Sequence, residues 1–89
     1  MVYEWDENKR ETNAEKHGLD LLQGVGLFDG RSVYSYPSPR GDEQRFVTVG
    51  LLAETFVALV WIERGDAIRL ISLRRARDGE KRAYCARFG

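Results

Sequence analysis

The chain has 89 residues, one domain's worth (residues 1–89), and at this size folding buries only about 60–65% of the unfolded surface, so the core is marginal and a partner can complete it. Hydrophobic residues at 43% and aromatics at 11% exclude a disordered chain. The net charge of zero gives no pointer to nucleic acid, and no apolar run approaches the ~20 residues of a membrane span.

The distribution of charge says more than its sum. Residues 1–62 carry 6 Lys/Arg against 10 Asp/Glu, a balance of −4, and residues 63–89 carry 8 against 4, a balance of +4. Either an anion is drawn to the C-terminal third or a solvated surface is unevenly charged; counts do not separate the two. The opening MVYEWDENKRET lacks the apolar core of a signal peptide. Cys85 is alone, which excludes an internal disulfide and a cysteine-built metal cluster. A cytoplasmic protein without a cofactor is expected.

Val2–Trp5 reads as a short strand. Asp6 is a good N-cap, Glu7 sits in a first turn that favours acids, Lys16 and His17 in a last turn that favours cations, and Gly18 follows as a terminator. Helix 7–17 is therefore well punctuated, but Ala14 is its only apolar residue, so Trp5 and Leu19 on either side are expected to anchor it. Asp20 and Gln23 suggest a capping box for a second, short helix with Leu21, Leu22, Val25 and Phe28 on its apolar face, weakened by Gly24 and Gly26.

From residue 31 the period changes to two. Strands are expected at Ser32–Tyr36, Gln44–Val49, Thr55–Glu63 and Ala67–Arg74, joined by links so short that neighbours must be antiparallel. Thr55–Ile62 is apolar on both faces and should be central. Asp78 caps a last helix, 79–87, with Tyr84 and Phe88 turned inward. The order βααββββα gives an α+β domain: an antiparallel meander with two N-terminal helices and one C-terminal helix.

Two groups of residues carry chemistry. Arg64, Arg69, Arg74 and Arg75 lie in or beside the last strand, and guanidinium forks match phosphate oxygens bidentately. They form a phosphate clamp or pair with Glu43, Glu63, Asp66 and Glu80 as structural ion pairs. Strict alternation puts Arg69 and Arg75 on one face and Ser72 and Arg74 on the other; a bulge near Ser72–Leu73, or a strand end at Arg74, would reunite them. The second group is Lys9, Asn13 and His17, four apart on helix 7–17 with Lys16 beside them. His17, the only histidine, is of the type that titrates near neutrality, and this polar stripe either lines a site or compensates the helix dipole. No ligand spacing such as HExxH or paired CxxC occurs, so no metal is expected, and Gly24 and Gly26 form no phosphate loop. Arg64-Gly65-Asp66 reads as a hairpin turn.

Trp5-Asp6-Glu7-Asn8-Lys9, Asn13 and Lys16-His17-Gly18 resemble the WDExKxxxNxxKHG opening of the BrnT toxin family. Phe28-Asp29, Glu43-Gln44-Arg45-Phe46, Gly50, Arg64-Gly65-Asp66, Ile68-Arg69-Leu70-Ile71-Ser72, Arg74, Ala76, Glu80 and Tyr84 extend the resemblance over nearly the whole chain. Leu73, Leu21 and Gly24 depart from the family's usual residues, and Leu73 would crowd the arginine surface. The resemblance implies a type II toxin with a fold similar to the RelE ribonucleases, cleaving RNA, inhibiting translation and arresting growth. It also implies a cognate antitoxin with a ribbon-helix-helix DNA-binding domain, through which the pair binds operator DNA and represses its operon. Arg64, Arg69, Arg74, His17 and Tyr84 are then the catalytic candidates, with Arg75, Lys16 and Lys9 on RNA phosphates and Ser72, Glu80 and Asn13 in support. The competing class is a non-catalytic binding module of a repressor complex.

Overall fold

In the computed structural model, which describes residues 2–89, Asp6 begins the first helix as its cap, its carboxylate accepting from the Asn8 N–H at 2.8 Å. Gly18, at φ 67°, ends it by donating to the Ala14 carbonyl at 2.9 Å. The helix between them, α1 (Glu7–His17), has the expected bounds. Trp5 and Leu19 pack on the core as its length of polar surface requires. A third anchor is not apolar at all. Asn13 is 4% exposed, accepts from the Leu73 N–H at 2.7 Å, and donates to the carbonyls of Leu73 at 2.9 Å and Leu19 at 2.8 Å.

The segment expected as a second α-helix is a 3₁₀ helix, Leu21–Phe28, opened by the Asp20–Gln23 capping box. Its buried residues are Leu21, Gly24 and Leu27, spaced by three, because side chains at i and i+3 eclipse when a turn holds three residues. Gly24 permits the close approach: a Cβ there would lie 2.7 Å from Leu59 Cδ1.

Four strands follow: β2 (Tyr34–Pro37), β3 (Phe46–Leu52), β4 (Thr55–Arg64) and β5 (Ala67–Arg75), each antiparallel to the next. The first strand, β1 (Val2–Glu4), corrects the expectation of a wholly antiparallel sheet. It lies parallel to β5, in the order β1-β5-β4-β3-β2, so the sheet is mixed. Short links dictate antiparallel pairing only between the strands they join, and most of the chain separates β1 from β5. The apolar β4 is the middle strand, as its composition requires.

Each face of the sheet carries a core. Val57, Leu59, Leu70 and Leu73 meet Leu21 and Leu27 of the 3₁₀ helix on one face. Val47, Val49, Ala58 and Ala76 form the other, with Tyr34, Tyr36, Phe56 and Tyr84 against them. The last helix, α2 (Asp78–Phe88), packs on β2 and β3 at this second face. Its cap position is Arg77, not Asp78, because the Glu80 carboxylate folds back to accept the Arg77 N–H at 2.7 Å. Tyr84 packs inward on Phe56, whereas Phe88 remains 44% exposed.

Candidate functional site

Strand β5 holds the arginines, and one irregularity decides their arrangement. Val60 pairs with Ser72 but Trp61 pairs with Leu70, so Ile71 is an unmatched bulge residue. The bulge reverses the alternation. Arg69 opposite Ile62, Ser72 opposite Val60 and Arg74 opposite Ala58 consequently share the second face, two positions from Arg64 on β4 by regular alternation from Ile62. Residues directly opposite in a ladder lie on the same side of the sheet. The bulge lies one residue before the Ser72–Leu73 position expected to reunite the arginines. It separates Arg75, opposite Val57 on the face covered by the 3₁₀ helix, from the other three. Leu73, fully buried on that same face, does not crowd the arginine surface.

Glu4 of β1, paired with Arg69, lies 3.7 Å from both Arg64 Nε and Arg69 Nη1, long contacts between part-exposed groups. Arg74 is held far more firmly. It is 15% exposed and meets the buried Glu80 carboxylate with both terminal nitrogens, at 2.7 and 3.0 Å. The Tyr36 hydroxyl donates to the same carboxylate at 2.5 Å. Burial alone would raise the Glu80 pKa, but Arg74, the Arg77 N–H and Tyr36 outweigh it and hold the carboxyl at about 2. The hydrogen bond to Glu80 raises Arg74 against the effect of burial. Tyr36 is raised by burial and then by Glu80, with Arg74 opposing, so the phenol stays neutral.

Tyr36 and Arg74 line a cleft of about 220 Å³ together with Val47 and Val60, and Ser38, Arg40, Arg45 and Arg77 supply its other polar side chains. Arg45 is tied to Glu43. The side chains of Arg40 and Arg77 make no ion pair or hydrogen bond among the described residues. Sequence reasoning made none of Tyr36, Arg40, Arg45 or Arg77 a site candidate, and Arg45 entered only as part of the family resemblance. The period-two run Arg45-Val47-Val49 held a trace of the arrangement, but only the β2–β3 pairing puts Tyr36 beside Val47.

The polar stripe of α1 does line a second cleft, of about 280 Å³, in which Asn8, Lys9, Thr12, Asn13, Lys16 and His17 face Ile71 and Ser72 of β5. The cleft lies where β1 stops pairing at Arg69. Asn13 belongs to its wall as a fixed amide, all of whose heteroatoms are engaged by the backbone. Tyr84 comes to neither cleft: its ring meets Phe56 edge-on at 5.3 Å, and its hydroxyl donates to the Ser32 carbonyl at 3.3 Å. The structure thus brings together Arg64, Arg69, Ser72, Arg74 and Glu80 on one face, and sets Lys9, Lys16 and His17 in the cleft alongside.

No helix among the described residues is long and apolar enough to cross a membrane. The fold and this surface define a small α+β protein with a guanidinium-walled cleft suited to an anion. Residues 5–80 match the family described as the ribonuclease toxin, BrnT, of type II toxin–antitoxin systems, and the chain belongs to that family. Comparison with curated proteins finds no match. Membership makes an antitoxin the partner of the chain.

Proposed function

We propose that this chain is an endoribonuclease toxin that works without a metal and grips RNA phosphates on the arginine-bearing face of its sheet. The bulge at Ile71 is the observation that favours this reading, because it sets Arg69 and Arg74 on one face instead of two. Cleavage of RNA by its own 2′-hydroxyl requires that the hydroxyl lose a proton, that the pentavalent phosphorane be stabilised, and that the leaving 5′-oxygen gain a proton. Arg74, immobilised by Glu80, offers a fixed charge, while Arg77, Arg40 and Arg69 are freer to close on phosphate oxygens. Tyr84 opens onto neither cleft, which leaves His17, with Lys16 in the same cleft, as the proton-transfer candidates. Lys9 and Lys16 beside it suit flanking phosphates of a strand that crosses β5 at Ser72.

In the same reading a ribbon-helix-helix antitoxin neutralises the toxin in the cytoplasm, and the pair represses its own operon. Incubating the purified protein with RNA in EDTA tests the catalytic part. Cleavage should persist in EDTA, and Arg69→Ala and Arg77→Ala should each lower it by about 10- to 100-fold while the melting temperature holds. Binding without cleavage would leave only a non-catalytic module. Undiminished cleavage by both variants would remove the phosphate clamp.

A further inference from the structure

We propose that Tyr36 reads the ribose of the substrate, accepting a hydrogen bond from a 2′-hydroxyl in the cleft, and so distinguishes RNA from other phosphate-bearing chains. The inference rests on the ribonuclease reading above and adds to it the group that recognises sugar. Glu80 is 7% exposed and ionised, with Arg74 clamped on it, so its oxygens only accept. In the Tyr36–Glu80 bond the phenol must therefore be the donor. Its single proton is committed to the carboxylate, and what the phenol oxygen has left for a ligand is a lone pair.

That matters because of what surrounds it. Arg40, Arg45, Arg74 and Arg77 present donors only, a lining that binds phosphate oxygens but treats ribose and deoxyribose alike. Arg74 donates towards the phenol oxygen and counters part of its raised pKa; an oxygen with two lone pairs keeps one for a ligand. Ser38 is the other hydroxyl of the lining. It is exposed and its hydroxyl has no fixed partner among the described residues, so it rotates freely between donor and acceptor, while Tyr36 has its polarity set. The 2′-hydroxyl is the donor that RNA adds at a site of this kind.

The test compares short single-stranded oligonucleotides of one sequence with 2′-hydroxyl or 2′-fluoro sugars. The fluoro form keeps the sugar pucker and charge but has no proton to donate and cannot be cleaved. Binding to the purified protein is scored while a gel shows the RNA intact. The wild type should bind the hydroxyl form about five- to tenfold more tightly, the effect of one hydrogen bond. Tyr36→Phe should bring the two within about twofold by weakening only the hydroxyl form, and Ser38→Ala should keep the preference.

A wild type that binds both forms equally overturns the proposal without any variant. A Tyr36→Phe protein that keeps the preference, or that loses affinity for both forms alike, also overturns it. Loss of the preference in Ser38→Ala would give the role to Ser38 instead. Failure of the wild type to bind either oligonucleotide removes the RNA reading itself, an outcome distinct from equal binding.

Discussion

Asn13 places both polar ends of its amide on the backbone of a single residue, Leu73, at 2.7 and 2.9 Å. Beyond Arg69 the edge of β5 has lost β1 as its neighbour, and the amide supplies the donor and acceptor that another strand would. Asn13→Ala leaves buried backbone groups unpaired, and we expect a loss of about 2–4 kcal/mol, read from urea unfolding. Glu80 is the second residue on which much depends. Its folded value of about 2 lies below the ordinary 4.5, so its contribution is complete above about pH 4.5 and disappears as pH falls towards 2. Glu80→Gln should flatten that part of the stability profile. At neutral pH it should cost about 2–4 kcal/mol, because Arg74 is then a largely buried charge without its counter-charge. Urea midpoints of wild type and variant across the acid range give both numbers.

Among the elements, the β3–β4 hairpin has the clearest local conflict. Ala53 and Glu54 stand at φ 48° and 68° between the paired Leu52 and Thr55, the geometry of a two-residue turn that favours Asn-Gly. Replacing the pair by Asn-Gly should stabilise the protein by about 1 kcal/mol in thermal or urea unfolding. The next hairpin already has its preferred residue, Gly65 at φ 60° between Arg64 and Ala67. Helix α1 was legible to its ends because the caps at Asp6 and Gly18 are local chemistry. The 3₁₀ helix was legible as a capped segment but not as to its winding, since Gly24 is fitted to Leu59, a residue far along the chain. The bulge at Ile71 is of the same kind: its position follows from how β4 and β5 register, and no residue of β5 announces it.

At the scale of the whole molecule, the uneven charge of the sequence becomes a surface with a purpose only where strands from both halves meet. Arg40 and Arg45 come from the acidic part of the chain, and Arg74 and Arg77 from the basic part; they line one cleft. If RNA phosphates occupy it, affinity should fall with salt, with a log–log slope of about −2 to −3 for three to four contacts on a single strand. Arg77→Ala should make that slope shallower by about 0.7, measured by titrating an uncleavable oligonucleotide at several salt concentrations.

The sequence by itself determined the class of fold, the meander from β2 to β5, the extent of α1, and, through motifs spread over the chain, the family. All of these rest on caps, period and residue order, which are written in neighbours. The tertiary structure decided that β1 runs parallel to β5, that Asn13 closes the sheet edge, that Arg75 leaves the arginine face, and that Tyr36 and Arg40 join it. Those outcomes depend on register between strands far apart in the chain, where a one-residue shift moves a side chain to the opposite face.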